Sequence, residues 1–378
     1  MDKFDLITQN LEEVLTPEEL KILIDNKEKL VHYIGFEISG LVHLGSGLLS
    51  CMKIKDFQEA GVQTKIFLAD WHAWINEKLD GKLETIKKIG VGYFKEAFIA
   101  ILEAIGANPK KTEFILGSDL YHNADKYWLT VVEVAKNTTL ARTQRSIDIL
   151  GKKLGEGTDF AKLMYPIMQA SDIFFMDVNL AHAGMDQRKA HVIAKNVANN
   201  LSFKPLLNKN KQKIKPVALH QHLLLGLGKP PRDPKELSKE ELQDLRAEMK
   251  MSKSKPDTCI FVHDSPSEIE RKIMKAYCPP PLLSSGQATD IEYNPVVDWT
   301  INLILPLKNN INIKTQSGAK NYKNKESLIN DYQNEIIHPM DLKEAVIKEL
   351  QQILNPIYKH FQSGRPQKLL GELMHIKA

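Results

Sequence analysis

The segment 31–52 constrains the fold more than any other, because it joins a buried strand to a helix through a glycine-bearing loop. An apolar run predicts the strand over residues 31–36, and the helix is expected to begin near Gly45. The first turn of a helix has N–H groups without intrahelical partners, and the helix dipole favours negative charge there. Such a unit is typical of sites that bind phosphate groups.

Strands and helices continue to alternate beyond this segment. Helices are predicted over 47–59 and 86–105, and strands are predicted over 65–69 and 114–117. This alternation favours a parallel sheet with right-handed crossovers. Ligands of such sheets bind beyond the carboxyl ends of the strands, which is where His43 falls.

Composition narrows the class of protein. The chain has 378 residues, of which 43% are hydrophobic and 26% charged, as in globular proteins of two or three domains. No apolar run reaches the ~18 residues of a membrane span, and the first residues do not resemble a signal peptide, so a cytoplasmic protein is expected. Three widely spaced cysteines predict neither a disulfide framework nor a metal site. With a net charge of +4, any contact with nucleic acid must come from local basic patches.

Two short segments far apart in the chain are suited to phosphate chemistry. The first is His43-Leu44-Gly45-Ser46, in which an imidazole lies beside a glycine that lets a ligand approach the backbone. The second runs from Lys250 to Ser254 (KMSKS), where lysines supply charge and serines supply hydroxyl donors. A segment of either kind, taken alone, is more often an ordinary loop.

Together the two segments resemble the paired signatures of class I aminoacyl-tRNA synthetases. The second matches the family's KMSKS at every position. The first matches three of the four positions of HIGH, counting Leu44 as isoleucine, with Ser46 in place of the usual second histidine. The resemblance implies catalytic roles for His43, Gly45, Ser46, Lys250, Lys253 and Ser254. It also implies that ATP, accompanied by Mg²⁺, is bound by Gly35, His43, Gly45, Met251 and Lys253.

A third group of polar residues recurs with helical spacing. Tyr165, Gln169 and Asp172 lie at i, i+4 and i+7, on one face of a helix expected to lead into a strand over 173–176. Polar side chains in such an apolar run are costly to bury unless they are paired. The alternatives are a polar pocket and a surface face, and the apolar surroundings favour the pocket.

Four strings resemble archaeal-type tyrosyl-tRNA synthetases: YIGFE at 33–37, LAD-x-HA at 68–73, YPIMQ-x-x-D at 165–172 and GM-[DE]-QRK at 184–189. The resemblance implies that Tyr33 and Asp172 hold the phenol of L-tyrosine. It assigns the ammonium group of the substrate to Tyr165, Gln169 and Gln187, and it places Glu37 and His72 in the same pocket.

One pocket residue of short archaeal members, a glutamine, has no clear match in this chain. Tyr121 or His122 falls nearest to its place.

The resulting prediction is an α/β fold, with a Rossmann-like parallel-sheet catalytic domain, a helical connecting insertion and an α-helical C-terminal anticodon-binding domain. A helical leader is expected over 1–30, the catalytic domain over 31–285 and the C-terminal domain over 286–378, with a proline run at 279–281 near the boundary. In the family the insertion contacts the tRNA acceptor end and forms the dimer interface, so a homodimer is expected.

Smaller elements complete this organisation. The insertion covers about 118–163, with helices predicted over 124–139 and 142–150 and a mobile stretch over 151–158. Downstream, a strand is predicted over 216–227, an extra helix over 239–249, the lysine-serine loop over 250–255 and a helix over 267–276. Ser238 and Glu241 form the capping box that predicts the extra helix.

Two regions leave alternatives open. The lysine-rich segment 204–215 is either a solvated basic loop or a tRNA phosphate contact. In the family, the counterparts of His338 and Asp341 read the first anticodon base, whereas Asp341 with Glu344 would also make a good capping box.

The resemblance implies an enzyme that forms tyrosyl-adenylate from L-tyrosine and ATP, releases pyrophosphate and charges tRNA(Tyr). The alternatives are a tryptophanyl enzyme, a small-molecule nucleotidylyltransferase and a non-catalytic RNA-binding relative. The pair of Tyr33 and Asp172 favours a phenol over an indole. Segment 290–378 argues against the nucleotidylyltransferase, and the intact KMSKS argues against the non-catalytic relative.

Overall fold

The structure is a computed structural model that describes residues 1–147, 159–280, 289–316 and 318–376. The predicted mobile stretch 151–158, the end of the predicted helix 142–150 and most of the segment after the proline run lie outside the described residues. No helix within the described part is long and apolar enough to cross a membrane.

A six-stranded sheet forms the centre of the molecule. Its strands lie in the order β1-β6-β5-β2-β3-β4, and all neighbours are parallel except β1, which runs antiparallel to β6. Chain order reverses on either side of β2, which places the topological switch point, and therefore the expected ligand site, at its carboxyl end. The strands are β1 Leu11–Leu15, β2 Val31–Glu37, β3 Gln63–Ala69, β4 Thr112–Leu116, β5 Leu180–Gly184 and β6 Val217–Gln221.

Helices cover both faces of the sheet and build the C-terminal part, which confirms the predicted α/β class. They are α1 Lys3–Thr8, α2 Pro17–Asp25, α3 Leu48–Glu59, α4 Asp70–Ile75, α5 Val91–Ala104, α6 Gly117–Tyr121, α7 Asp125–Lys136, α8 Leu140–Ser146, α9 Ala161–Phe175, α10 Arg188–Val197, α11 Lys239–Met249, α12 Pro266–Met274, α13 Pro295–Trp299, α14 Lys325–Gln333, α15 Pro339–His360 and α16 Gly364–Met374. Shorter turns include the π-helical Ile86–Gly90 before α5. Helix α11 carries the predicted capping box.

The leader is not purely helical, because β1 lies within it and extends the sheet. Its glutamates disfavour a strand on intrinsic propensity. Glu13, however, accepts hydrogen bonds from Arg188 and lies against His220, so tertiary contacts support the strand.

Two strand predictions were wrong, the first because a helix occupies the segment and the second because the strand is shorter. No strand occurs at 173–176, where α9 continues to Phe175, since an apolar run of this length suits a buried helix as well as a buried strand. The strand predicted over 216–227 ends at Gln221. Beyond it the chain leaves the sheet and holds the lysine-serine loop, because Met251 N–H donates to Leu224 O at 2.6 Å.

The C-terminal part contains a short hairpin as well as helices. Strands β7 Ile311–Thr315 and β8 Gly318–Tyr322 pair antiparallel, and β7 packs beside α15 while β8 contacts α14. Buried residues of α5 and α15 belong to one hydrophobic core that continues into β2 and β3. The C-terminal helices therefore pack directly on the helices that cover the sheet.

The loop between β2 and α3 is packed so tightly that one position excludes any side chain. A Cβ atom at Gly47 would lie 2.6 Å from Val42 Cγ1, 2.9 Å from Ile101 Cδ1 and 3.1 Å from the carbonyl oxygen of His43. This packing fixes where α3 begins and therefore where its free N–H groups point.

We expect Gly47→Ala to lower the free energy of unfolding by about 1–3 kcal/mol, because overpacking forces the loop away from α5. Denaturant unfolding measures this change. Gly371→Ala in α16 is the matched control, since its Cβ would meet nothing within 4 Å, and it should leave stability unchanged or slightly raised. Equal stability of the two variants would contradict the packing argument.

Candidate active site

A cleft of about 510 Å³ opens at the carboxyl end of β2. Every residue that the sequence assigns to catalysis, ATP or tyrosine lines it, although these residues come from segments far apart in the chain. They are Tyr33, Gly35, Glu37, His43, Gly45, Ser46, His72, Tyr165, Gln169, Asp172, Gln187, Lys250, Met251, Lys253 and Ser254. The polar face of α9 is thus a pocket wall and not a surface face.

One end of the cleft is closed by Asp172, which is only 1% exposed. Its Oδ1 accepts hydrogen bonds from Tyr121 Oη at 3.0 Å and from Tyr127 Oη at 2.9 Å. Tyr33 lines the same cavity, but the donors to Asp172 are these two other tyrosines. His122, the second candidate for the missing glutamine position, is exposed, so Tyr121 is the candidate that contacts Asp172, from behind the cleft wall.

Burial determines the charges at this end. Desolvation raises the pKa of Asp172 to about 8, and the hydroxyl groups of Tyr127 and Tyr121 oppose the rise. Desolvation also lowers the pKa of His72 to about 3, so its ring is neutral. Its Nε2 lies 3.7 Å from Asp172 Oδ2, beyond hydrogen-bond distance, and neither ring nitrogen has a partner among the described residues.

Amides and one carboxylate form the middle of the cleft. Gln169 Nε2 donates to Gln187 Oε1 at 3.3 Å, while Gln169 Oε1 is buried without a partner in the described part of the chain. Glu37 accepts from Asn76 Nδ2 at 2.8 Å and lies 3.5 Å from Lys78 Nζ. Desolvation raises the pKa of Glu37, and these neighbours oppose that shift. This part of the cleft is rich in acceptors, as an ammonium group requires.

The His43 loop is closed by Ser46. Ser46 N–H donates to His43 Nδ1 at 3.3 Å, and Ser46 Oγ lies 3.4 Å from both the N and the O of His43. An acceptor at Nδ1 places the proton of a neutral ring on Nε2. Desolvation, and then the charges of Lys253 and Lys250, lower the pKa of His43 to about 3, so the ring is a neutral donor.

The lysine-serine loop lies across the open end of the cleft. Lys250 Nζ is 2.8 Å from Asp186 Oδ2, and Lys253 Nζ donates to Ser39 Oγ. Desolvation lowers the pKa of Lys253 to about 8, which Glu37 opposes. Ser254 Oγ lies 2.9 Å from the hydroxyl of Ser252. The loop therefore presents two ammonium groups and two hydroxyls to a polyanion.

Comparison with known proteins agrees with this geometry. The family model of class I tRNA synthetases (W and Y) matches residues 25–355. The tyrosine–tRNA ligase of Thermococcus sibiricus is 48% identical over 377 residues, which cover 98% of this chain and 97% of that protein. The ligase of Pyrococcus furiosus is 50% identical over 355 residues, or 93% of this chain and 92% of that one.

This chain belongs to the archaeal-type tyrosyl-tRNA synthetases. Among solved structures, tyrosyl-tRNA synthetase of Pyrococcus horikoshii complexed with L-tyrosine is similar, with a TM-score of 0.91 and 46% identity over 98% of this chain and 100% of that one. A tryptophanyl-tRNA synthetase from Aeropyrum pernix has a TM-score of 0.62 at 17% identity, which shows a shared fold alone.

The proposed anticodon residues of this synthetase lie outside the cleft, at the start of α15. The predicted capping box of Asp341 and Glu344 is wrong, because His338 is the N-cap and its Nδ1 accepts from Met340 N–H at 3.2 Å. Asp341 lies in the first turn, where a carboxylate suits the positive end of the helix dipole.

Several lysines of segment 204–215 have partners within the synthetase. Lys204 Nζ is 2.7 Å from Asp177, and Lys213 Nζ donates to Asn199 O at 3.1 Å. These contacts hold the two lysine side chains against the protein. A tRNA phosphate could bind either lysine only by replacing its partner.

A histidine that no sequence motif marks joins three parts of the synthetase at the rim of the cleft. His222 Nε2 donates to Asp298 Oδ1 at 2.7 Å, and its Nδ1 lies 3.5 Å from Glu12 Oε2. Although desolvation opposes the charge, these two carboxylates raise the pKa of His222 to about 9. Only the tertiary fold brings the leader and α13 to this position.

This ion pair predicts how stability depends on pH. Because the pKa of His222 is raised in the folded state, its contribution is full below the unfolded pKa of about 6.5 and is lost as pH rises through about 9. The melting temperature of the wild type should therefore fall between about pH 7.5 and about pH 9.5 by more than that of His222→Asn. A scan of melting temperature against pH measures both.

The matched control is His263→Asn, since desolvation lowers the pKa of His263 to about 4 and its ring is neutral throughout this range. Its stability difference from wild type should stay constant with pH. Parallel curves for wild type and His222→Asn would show that the ion pair does not stabilise the fold.

Proposed function

We propose that this protein is a tyrosine–tRNA ligase. It activates L-tyrosine with ATP to tyrosyl-adenylate and transfers the tyrosyl group to the terminal ribose of tRNA(Tyr). The observation that carries the proposal is the shape of the cleft, which has a buried carboxylate acceptor at its closed end and two lysines at its open end. As a part of translation, the enzyme would act in the cytoplasm.

At the closed end the substrate phenol would donate to Asp172 and lie beside Tyr33. Phenylalanine would leave the buried acceptor without a partner, and a discrimination of this kind is already known for tyrosyl-tRNA synthetases. The ammonium group would lie against Tyr165 and the free Oε1 of Gln169, with Gln187 fixing the orientation of that amide. His72, neutral and buried, would contribute shape and not charge.

At the open end the tyrosine carboxylate would attack the α-phosphorus of ATP, and the bond from that phosphorus to the pyrophosphate oxygen would break. The nucleophile is already ionised, so catalysis consists of positioning and of stabilising charge on the phosphates. His43 Nε2–H and the N–H groups at the start of α3 would act on one side, with Gly35 and Gly45 leaving room for the nucleotide. Met251 would contribute apolar contact to it.

The lysines would act on the leaving pyrophosphate. Lys250 would exchange Asp186 for a phosphate oxygen, and Lys253 would exchange Ser39 in the same way, with Ser254 adding a hydroxyl donor. ATP brings Mg²⁺ as part of the substrate. The described residues contain no group of three metal-ligating side chains, so its ligands would be mainly phosphate oxygens and water.

Recognition of tRNA would extend to the C-terminal part. His338 is exposed at the start of α15 and Asp341 follows in the first helical turn. An imidazole that can stack and a carboxylate that can accept from a guanine edge suit an unpaired base. We infer that they read the first anticodon base.

The connecting insertion would form the interface of a homodimer. Exposed apolar side chains gather on α7, α8 and the start of α9, where Leu129 is 45% exposed, Val132 57%, Leu140 62% and Phe160 75%. A second copy of this surface would cover them.

Light scattering should give twice the monomer mass of 42.9 kDa, and the double variant Leu129→Glu with Val132→Glu should give the monomer mass. Ile22→Glu, at an exposed apolar residue of α2, should stay dimeric; a monomeric wild type would refute the interface.

The activity is tested by ATP–pyrophosphate exchange with tyrosine, phenylalanine and tryptophan in parallel. We expect exchange with tyrosine alone, and loss of the preference for tyrosine over phenylalanine in Asp172→Ala, because the buried acceptor is gone. Exchange with tryptophan instead would show that tryptophan is the substrate. The fold and the proposed role of the lysine-serine loop would then still hold. A folded protein that supports no exchange with any amino acid would overturn the proposed activity.

A further inference from the structure

We propose that Tyr121 and Tyr127 are positioning residues for substrate specificity, whose hydroxyl groups orient Asp172 so that its second oxygen faces the phenol of tyrosine. The proposal rests on the proposed role of Asp172 as the acceptor of that phenol. Neither tyrosine lines the cleft, so both would act through Asp172 and not by touching the substrate.

The two hydrogen bonds leave the carboxylate of Asp172 with one oxygen that already accepts from the protein and one that does not. Both tyrosines donate to Oδ1, at 3.0 Å and 2.9 Å, and a carboxylate oxygen accepts about two such bonds in its plane. The other oxygen, Oδ2, has no hydrogen bond from the protein within the described residues and lies 3.7 Å from His72 Nε2. The phenol of the substrate is therefore the donor that this free oxygen is placed to receive.

The tyrosine rings are themselves held in place by other aromatic rings. The rings of Tyr121 and Tyr127 lie 4.5 Å apart between centroids, and Trp71 lies 5.3 Å from Tyr121. Trp128 and Phe175 lie 5.2 Å and 5.3 Å from Tyr127. Tyr121 is 3% exposed and Tyr127 is fully buried. The donors thus come from a rigid aromatic cluster on α6 and α7, which preorganises the acceptor on α9.

The same bonds act on the charge of Asp172. The ionisable groups that face it are Tyr33 from β2, His72 from α4, Tyr121 from α6 and Tyr127 from α7. His72 is neutral, so none of these four groups is a cation that could stabilise the carboxylate, and the two hydroxyl donors are what oppose its desolvation. Loss of either donor should raise the pKa of Asp172, and a protonated Asp172 no longer offers the phenol a pure acceptor.

The test compares Tyr121→Phe and Tyr127→Phe with wild type, since each variant keeps the ring and removes only the hydroxyl. We expect the KM for tyrosine to rise about tenfold in each, with kcat and the KM for ATP little changed. The preference for tyrosine over phenylalanine should fall by a similar factor. The acid limb of kcat/KM for tyrosine should move to higher pH, because the free enzyme then requires a higher pH to ionise Asp172.

The matched control is Tyr322→Phe, which removes a buried hydroxyl that donates to Asp331 Oδ2 at 2.7 Å, outside the cleft. It should lose stability without any change in KM, preference or pH profile. Calorimetric titration with tyrosine gives the binding affinity of each variant without the exchange reaction.

Two outcomes separate this inference from the proposed function. A wild type that prefers tyrosine, with folded variants that keep its KM, preference and pH profile, would overturn the inference alone. A wild type that neither binds nor activates tyrosine would overturn the proposed function and the inference with it.

Discussion

The cleft depends on one carboxylate, Asp172, that the fold keeps almost entirely away from water. Burial raises the pKa of Asp172 to about 8, so its ionised form is the costly one, and a ligand that donates to the carboxylate stabilises that form. Here Tyr121 and Tyr127 donate to one oxygen, and the proposed substrate phenol would donate to the other. In the proposed function this free oxygen would select tyrosine, because a phenol can donate to it and a phenyl ring cannot.

The second constraint is that the His43 loop and the chain around the lysine-serine loop are joined through backbone hydrogen bonds. His43 forms an isolated antiparallel bridge with Phe261, and Leu44 N–H donates to Ile260 O at 3.1 Å. On the other side, Leu225 bridges Lys250. The histidine loop is thus bonded to the chain that follows the lysine-serine loop. Although more than two hundred residues separate the two in sequence, they form one unit in space, and this explains why neither segment is informative alone.

The sequence predicts those parts of the molecule whose signals are local. Three features follow from residues close together in sequence: the strand–loop–helix unit, the capping box of α11, and the shared face of Tyr165, Gln169 and Asp172. Strand β1 could not be predicted in this way, because partners from distant segments stabilise it. The apolar end of α9 could not be distinguished from a strand, since burial on all sides removes the periodic signal. The donors to Asp172 come from yet another segment, and only the folded chain shows that they meet.

The C-terminal part is bonded to the same segment that holds the lysine-serine loop. Asp298 accepts from Leu225 N–H at 3.0 Å as well as from His222, and Trp299 Nε1 donates to Leu225 O at 2.7 Å. Helix α11 adds a second connection, because its Arg246 pairs with Glu292 at 2.7 Å.

Helix α11 ends at Met249, and its C-cap, Lys250, is the first residue of the loop itself. The resting position of the loop is therefore set on one side by the sheet and on the other by the C-terminal helices. In the proposed mechanism Lys250 leaves Asp186 to reach a phosphate, and the loop would then move against contacts that include α13 and α11. The extra helix α11 therefore connects the loop, through Lys250, with the C-terminal part, through Arg246 and Glu292.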